Sequence, residues 1–151
     1  DLRLIIGISK SVIDLERIGD EATKIAKRAI ELTEDAGFSR GYDEIRHIGD
    51  QVRKMVQESL DAFARFDVDL AAAVSQYDKT IDREYKSALR ELVTYMMEDP
   101  RSISRVLSVI WVLRSLERIG DHARNIAELV IYMVQGTDVR HKKLFAETPA
   151  E

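Results

Sequence analysis

Three pairs of acidic residues, Glu16 with Asp20, Asp78 with Asp82 and Glu117 with Asp121, are spaced by four positions. On a helix that spacing stacks both carboxylates on one face about a turn apart, where they repel unless something compensates. Spacing by itself carries little, because four acid-to-Asp pairs of this kind occur among 27 acidic residues (the fourth is Glu31 with Asp35) and about two to three arise by accident. Position carries more. Val106, Ile110, Leu113, Glu117 and Asp121 follow steps of four, three, four and four, one continuous helical stripe in which the acids extend an apolar face. Asp78 and Asp82 likewise stand in the stripe Ala71, Val74, Asp78, Asp82, Tyr85, Leu89 and Leu92 where apolar residues are expected.

Side by side, these two stripes bring four carboxylates together, an arrangement that protons or a cation must neutralise. An all-oxygen donor set with no cysteine suits hard cations such as Mg²⁺, Mn²⁺, Ca²⁺ or iron. Ion pairing with Arg17, Arg83, Arg114 or Arg118 would satisfy the same acids. Gly19 and Gly120 lie between the paired acids, and a glycine inside a helix costs about 1 kcal/mol relative to alanine, so close approach of a neighbour or a simple packing notch is expected there.

Other chemistry is poorly supplied. Glu44 and His47 form a Glu-x-x-His pair of the kind that di-iron carboxylate bundles use twice, but it occurs once here. A di-iron oxidoreductase is therefore an alternative reading, and an exposed His47 the simpler one. His122 points about 100° away from Asp121 around a helix, which suits a surface or supporting position rather than a ligand. No serine sits in a glycine-framed turn of the hydrolase kind, and glycine loops that cradle phosphate are missing. The cluster Val109 to Leu113, with Trp111, reads as core.

The elements that must position these residues are helices. Proline occurs only at Pro100 and Pro149, and strand signals with turn punctuation are missing. The first periodic stretch carries Ile5, Ile8, Val12, Leu15, Ile18, Ala22, Ile25, Ala29 and Leu32 up to a stop at Gly37. Helices are expected next over 41 to 64 and 68 to 98, and a last one from Pro100 to Gly136. A net charge of −4 with scattered basic residues leaves no footprint for nucleic acid or an anionic membrane. The longest apolar run, Val109 to Leu113, falls far short of a membrane span of roughly 20 residues. Without cysteine, disulfide scaffolds, thiolate zinc sites and cysteine nucleophiles are excluded, and a cytoplasmic location is the default expectation.

The chain also matches itself. LERIGDEATKIA at Leu15 to Ala26 and LERIGDHARNIA at Leu116 to Ala127 agree at nine of twelve positions, at an offset of 101 residues. Two helices precede the second copy and none precedes the first. The expected organisation is therefore the last helix of one bundle over 1–36, a complete three-helix bundle over 40–136, and a polar tail over 137–151. The first helix then lacks its own bundle, so its apolar stripe is covered by the other helices, by a second copy, or not at all; since large bare patches are unusual in soluble monomers, a homodimer or a swapped helix is expected.

These two segments resemble the paired signature of the PhoU family of bacterial phosphate-signalling regulators. ARFDVDLAAAVSQYDKTIDREYKSALREL is similar to the middle helix of that family's second repeat, with Asp78 and Asp82 on its DxxxD motif, and TYMMEDPRSISRVL to the junction into its last helix. The resemblance spans residues 1 to 141. It implies an all-α fold of three-helix-bundle repeats and a divalent or multinuclear metal (iron, zinc, magnesium or manganese) at Asp78, Asp82, Glu117 and Asp121. Glu16 and Asp20 match half of a second site. It further implies a cytoplasmic, non-catalytic accessory protein that contacts the phosphate ABC transporter ATPase and a sensor histidine kinase. A metal-free helical adaptor is the other alternative.

Overall fold

In a computed structural model, residues 1–34, 37 and 39–136 are described; the polar tail over 137–151, with His141, lies outside them. The described residues form four long helices, α1 (Leu2–Thr33), α2 (Tyr42–Arg65), α3 (Val68–Glu98) and α4 (Ile103–Gln135), with a 3₁₀ turn at Pro100–Ser102.

Each boundary has a local cause. The Asp1 carboxylate accepts from the Arg3 N–H and opens α1, and Asp67 accepts from the Leu70 N–H at 2.9 Å to open α3. Gly41 precedes α2 at φ +82°, and a Cβ at that position would collide with Val109 of α4. Phe66 closes α2 in the left-handed region at φ 54°, which nothing in its residue type announces. Asp99 accepts from the Arg101 N–H, Pro100 starts the 3₁₀ turn, and Gly136 at φ 69° ends α4.

α4 is the central rod, with α1, α2 and α3 packed around it. It is accordingly apolar over most of its circumference, burying Val106, Val109, Leu113, Leu116, Ile119, Ala123, Ile126 and Val130. α2 contributes one heptad stripe, Ile48, Val52, Met55, Ser59 and Ala62, and α3 contributes Ala71, Val74, Asp78, Ile81, Ala88 and Leu92. Trp111 is 55 % exposed, so its expected place in the core is corrected: Val109, Val112 and Leu113 fill that turn of α4 and the indole falls on the outer side.

α1 presents two different faces. It runs antiparallel to α4 and docks through Leu4, Gly7, Ser11, Asp14, Ile18, Glu21, Ile25 and Leu32, a heptad face that mixes apolar with small and polar residues. Gly7 lies against the Met133 side chain, a notch that lets the rods approach. The stripe Ile5, Ile8, Val12 and Leu15 is instead 40–61 % exposed. Adding the 101-residue offset turns these four into Val106, Val109, Leu113 and Leu116, all buried against α2 and α3. The outward face of α1 is thus the repeat equivalent of the α4 core face.

Candidate metal centre between the third and fourth helices

Asp78 is carried into the interior by its place in the α3 stripe and is 3 % exposed. Asp82 follows one turn later, half-buried, and Asp121 of α4 stands opposite, half-buried as well. One oxygen from each of Asp78, Asp82 and Asp121 lies within 4.8 Å of the others. Among the described residues this is the one group of three or more metal-capable side chains. Glu117, a turn before Asp121, is buried and close enough to feel both Asp121 and Asp82.

The electrostatics follow from burial. Desolvation pushes Asp78 up to about 6, with Asp121 and Asp82 adding to the rise and the Arg124 guanidinium opposing it. Glu117 rises to about 7, again chiefly through burial and then through the Asp121 charge, although Arg114 Nη1 donates to its Oε2 at 2.7 Å. Two acids that bind protons near neutral pH, set beside two more, form a centre short of positive charge.

Whether the residues fit a cation is decided by one atom. Asp78 Oδ2 accepts from Arg124 Nη1 at 2.6 Å, but Asp78 Oδ1 is buried with no hydrogen-bond partner. A carboxylate oxygen buried without a partner costs about 1–3 kcal/mol, and natural interiors rarely leave one so. It lies on the Gly120 side of α4, where a Cβ would stand 3.6 Å away in ordinary contact. Three carboxylates with an orphaned buried oxygen fit a hard cation.

The other sequence candidates are placed elsewhere. Glu16 and Asp20 are exposed on the outward side of α1, apart from any third acidic group among the described residues. Gly19, unlike Gly120, has open space around it. His47 is exposed, 3.3 Å from Glu84 and 2.9 Å from Gln51, while Glu44 lines a separate shallow groove with Arg40, Glu91 and Tyr95. His122 turns toward α1, with Nδ1 2.8 Å from Asp14 Oδ1, and the Asn125 side chain donates to the same oxygen at 3.1 Å. Of the expected arginines, Arg114 pairs with Glu117 and Arg118 with Glu21 of α1 at 3.4 Å.

Arg124 went unread in the sequence. It bridges Asp78, Asp121 at 3.3 Å and Glu128 at 3.8 Å. Extending the stripe past Asp121 by steps of three and four reaches Arg124 and Glu128, so the same periodicity contained the signal.

A helical bundle with a cluster of carboxylates between two of its rods is the class that fold and site define. The chain belongs to the PhoU domain family, whose model matches residues 1–29 and 45–130. It is 80 % identical over 150 residues to the phosphate-specific transport system accessory protein PhoU homolog of Pseudomonas putida, covering 97 % of this chain and 59 % of that protein. It is 44 % identical over 145 residues to the phosphate-specific transport system accessory protein PhoU of Escherichia coli, covering 93 % and 58 %. The crystal structure of PhoU from Pseudomonas aeruginosa superposes with a TM-score of 0.89 at 80 % identity, over 91 % of this chain and 66 % of that one. The chain therefore spans about three fifths of the length of these curated relatives.

Proposed function

We propose that this chain acts in phosphate transport as an accessory protein, the role the names of its relatives print, and that it is a metal-binding regulator of phosphate uptake and phosphate-starvation signalling. It acts by protein contact rather than catalysis, in the cytoplasm, on the phosphate ABC transporter ATPase and a sensor histidine kinase. In this reading α1 is the last helix of one bundle, α2 to α4 form a second, and the chain associates as a homodimer. Among the described residues no helix is long and apolar enough to cross a membrane.

Asp78, Asp82 and Asp121 hold a divalent or multinuclear cation, with Glu117 completing the acidic set. Glu16 and Asp20 supply half of a second site on α1. The buried, partnerless Oδ1 of Asp78 carries the assignment. Iron, manganese, magnesium and zinc all accept carboxylate oxygen, and charge neutralisation is the chemistry such an ion supplies here. The residues themselves fix the spacing of α3 against α4, so the ion-dependent state of the acids sets the shape of the surface that partners read.

Elemental analysis of the purified chain, followed by melting with and without chelator, tests this. Bound metal and a melting point lowered by chelator are expected. Metal-free protein indifferent to both chelator and added Mn²⁺, Mg²⁺, Zn²⁺ or Fe²⁺ would leave the second reading, a metal-free helical adaptor, which is favoured by the guanidinium groups of Arg114 and Arg124 already placed on these acids.

A further inference from the structure

Arg124 lies on two of the three acids that would hold a cation. Its Nη1 serves two acids at once, 2.6 Å from Asp78 Oδ2 and 3.3 Å from Asp121 Oδ1, while its Nε faces Glu128 Oε1 at 3.8 Å. The guanidinium bonds Asp78 Oδ2 and leaves Oδ1 without a partner, but its positive charge stands beside the oxygens a divalent ion would take, and the two cations repel one another. The side chain is about one third exposed and sits at the rim of the site on a long, many-rotamer stem. Glu128 stands one turn further along α4, 8 % exposed, with the Ser75 hydroxyl donating to it from α3 at 3.4 Å. The arginine thus lies between two berths, of which the Asp78 and Asp121 one is occupied more closely.

Resting on the cation-site reading above, we propose that Arg124 is a built-in counter-cation of this centre, holding Asp78 and Asp121 until an entering divalent ion displaces its guanidinium toward Glu128. Metal loading is then an exchange of one cation for another rather than the filling of a bare acidic hole. The arginine sets the concentration of free ion at which the centre loads, and its displacement moves a positive charge along the α3–α4 seam.

Calorimetric titration with Mn²⁺ of the 151-residue chain and its variants tests the exchange. Arg124→Gln removes the competitor and binds Mn²⁺ about tenfold or more tighter than the unaltered chain, the scale of a lost charged hydrogen bond. Arg124→Lys, which keeps the charge but not the fork, falls between them. Glu128→Gln removes the second berth and weakens Mn²⁺ binding, and that weakening shrinks when Arg124→Gln is also present, because the two act as one unit. Should Arg124→Gln fail to fold, Arg124→Lys and Glu128→Gln still have to move affinity in opposite directions. An arginine that merely props the helices apart gives unchanged or weaker binding in Arg124→Gln and Arg124→Lys, and that result overturns the exchange while leaving the cation site standing. Absence of Mn²⁺ binding to the unaltered chain and to every variant removes both.

Discussion

Asp78 and Glu117 are acids whose folded-state affinity for protons exceeds the unfolded one, at about 6 and about 7, mainly because burial penalises their charge. The sign of their effect follows from linkage. Between the unfolded carboxylate range near 4 and those raised values, the folded chain binds more protons than the unfolded one, so stability falls as pH rises through this window. Glu21 acts oppositely: burial raises its pKa, but Lys24, Ser115 and Arg118 outweigh that and lower it, so its contribution is lost only as pH falls below the ordinary carboxylate range. The metal-free chain is therefore expected to lose on the order of 1–3 kcal/mol between pH 5 and pH 8, measured by urea unfolding. Glu117→Gln should recover about 1 kcal/mol at pH 8 and flatten the profile; a slope unchanged by that substitution would show that other groups set it. The acids themselves were readable from spacing and stripe. The unpartnered Asp78 oxygen was not, because it depends on which side of Gly120 the α3 carboxylate falls, a matter of rotation between two packed rods.

At the scale of elements, helix identity and order were legible because each apolar stripe repeats with the helical period and the breaks fall near Gly37, Asp67 and Pro100. Two features escaped. Phe66 ends α2 at a positive φ without being Gly or Asn, and the docking face of α1 mixes Leu4, Ile18, Ile25 and Leu32 with Gly7, Ser11, Asp14 and Glu21, with Gly7 close against Met133 of α4. The two glycine settings make a paired prediction. Gly41→Ala places a Cβ against Val109 at a positive φ and should destabilise by about 1–3 kcal/mol. Gly19→Ala meets open space in the interior of a helix and should stabilise by about 0.5–1 kcal/mol. Thermal melts of both separate steric placement from a generic glycine effect, and a destabilised Gly19→Ala would contradict the packing described for α1.

For the molecule as a whole, the 101-residue repeat explains more than any single motif. It identifies Ile5, Ile8, Val12 and Leu15 as the counterpart of a buried core face, yet here they are exposed along one side of α1. So wide an apolar strip is unusual on a soluble monomer. The chain is accordingly expected to self-associate, and Ile8→Glu with Val12→Glu to shift it to monomer in sedimentation velocity while changing the melting point of the α2–α4 core little. A unaltered chain that sediments as a monomer would count against the homodimer. The same repeat places Glu16 and Asp20 as counterparts of Glu117 and Asp121, and they are exposed on α1, apart from the acidic group on α3 and α4.

A cation is proposed to sit among Asp78, Asp82 and Asp121. The most direct measurement is the thermal midpoint of chelator-stripped chain titrated with Mn²⁺, beside Asp78→Asn with Asp121→Asn. A saturable rise in midpoint is expected for the unaltered chain, reversed by chelator and abolished in the double variant. An identical response of both proteins to Mn²⁺, whether a rise or none, would contradict it.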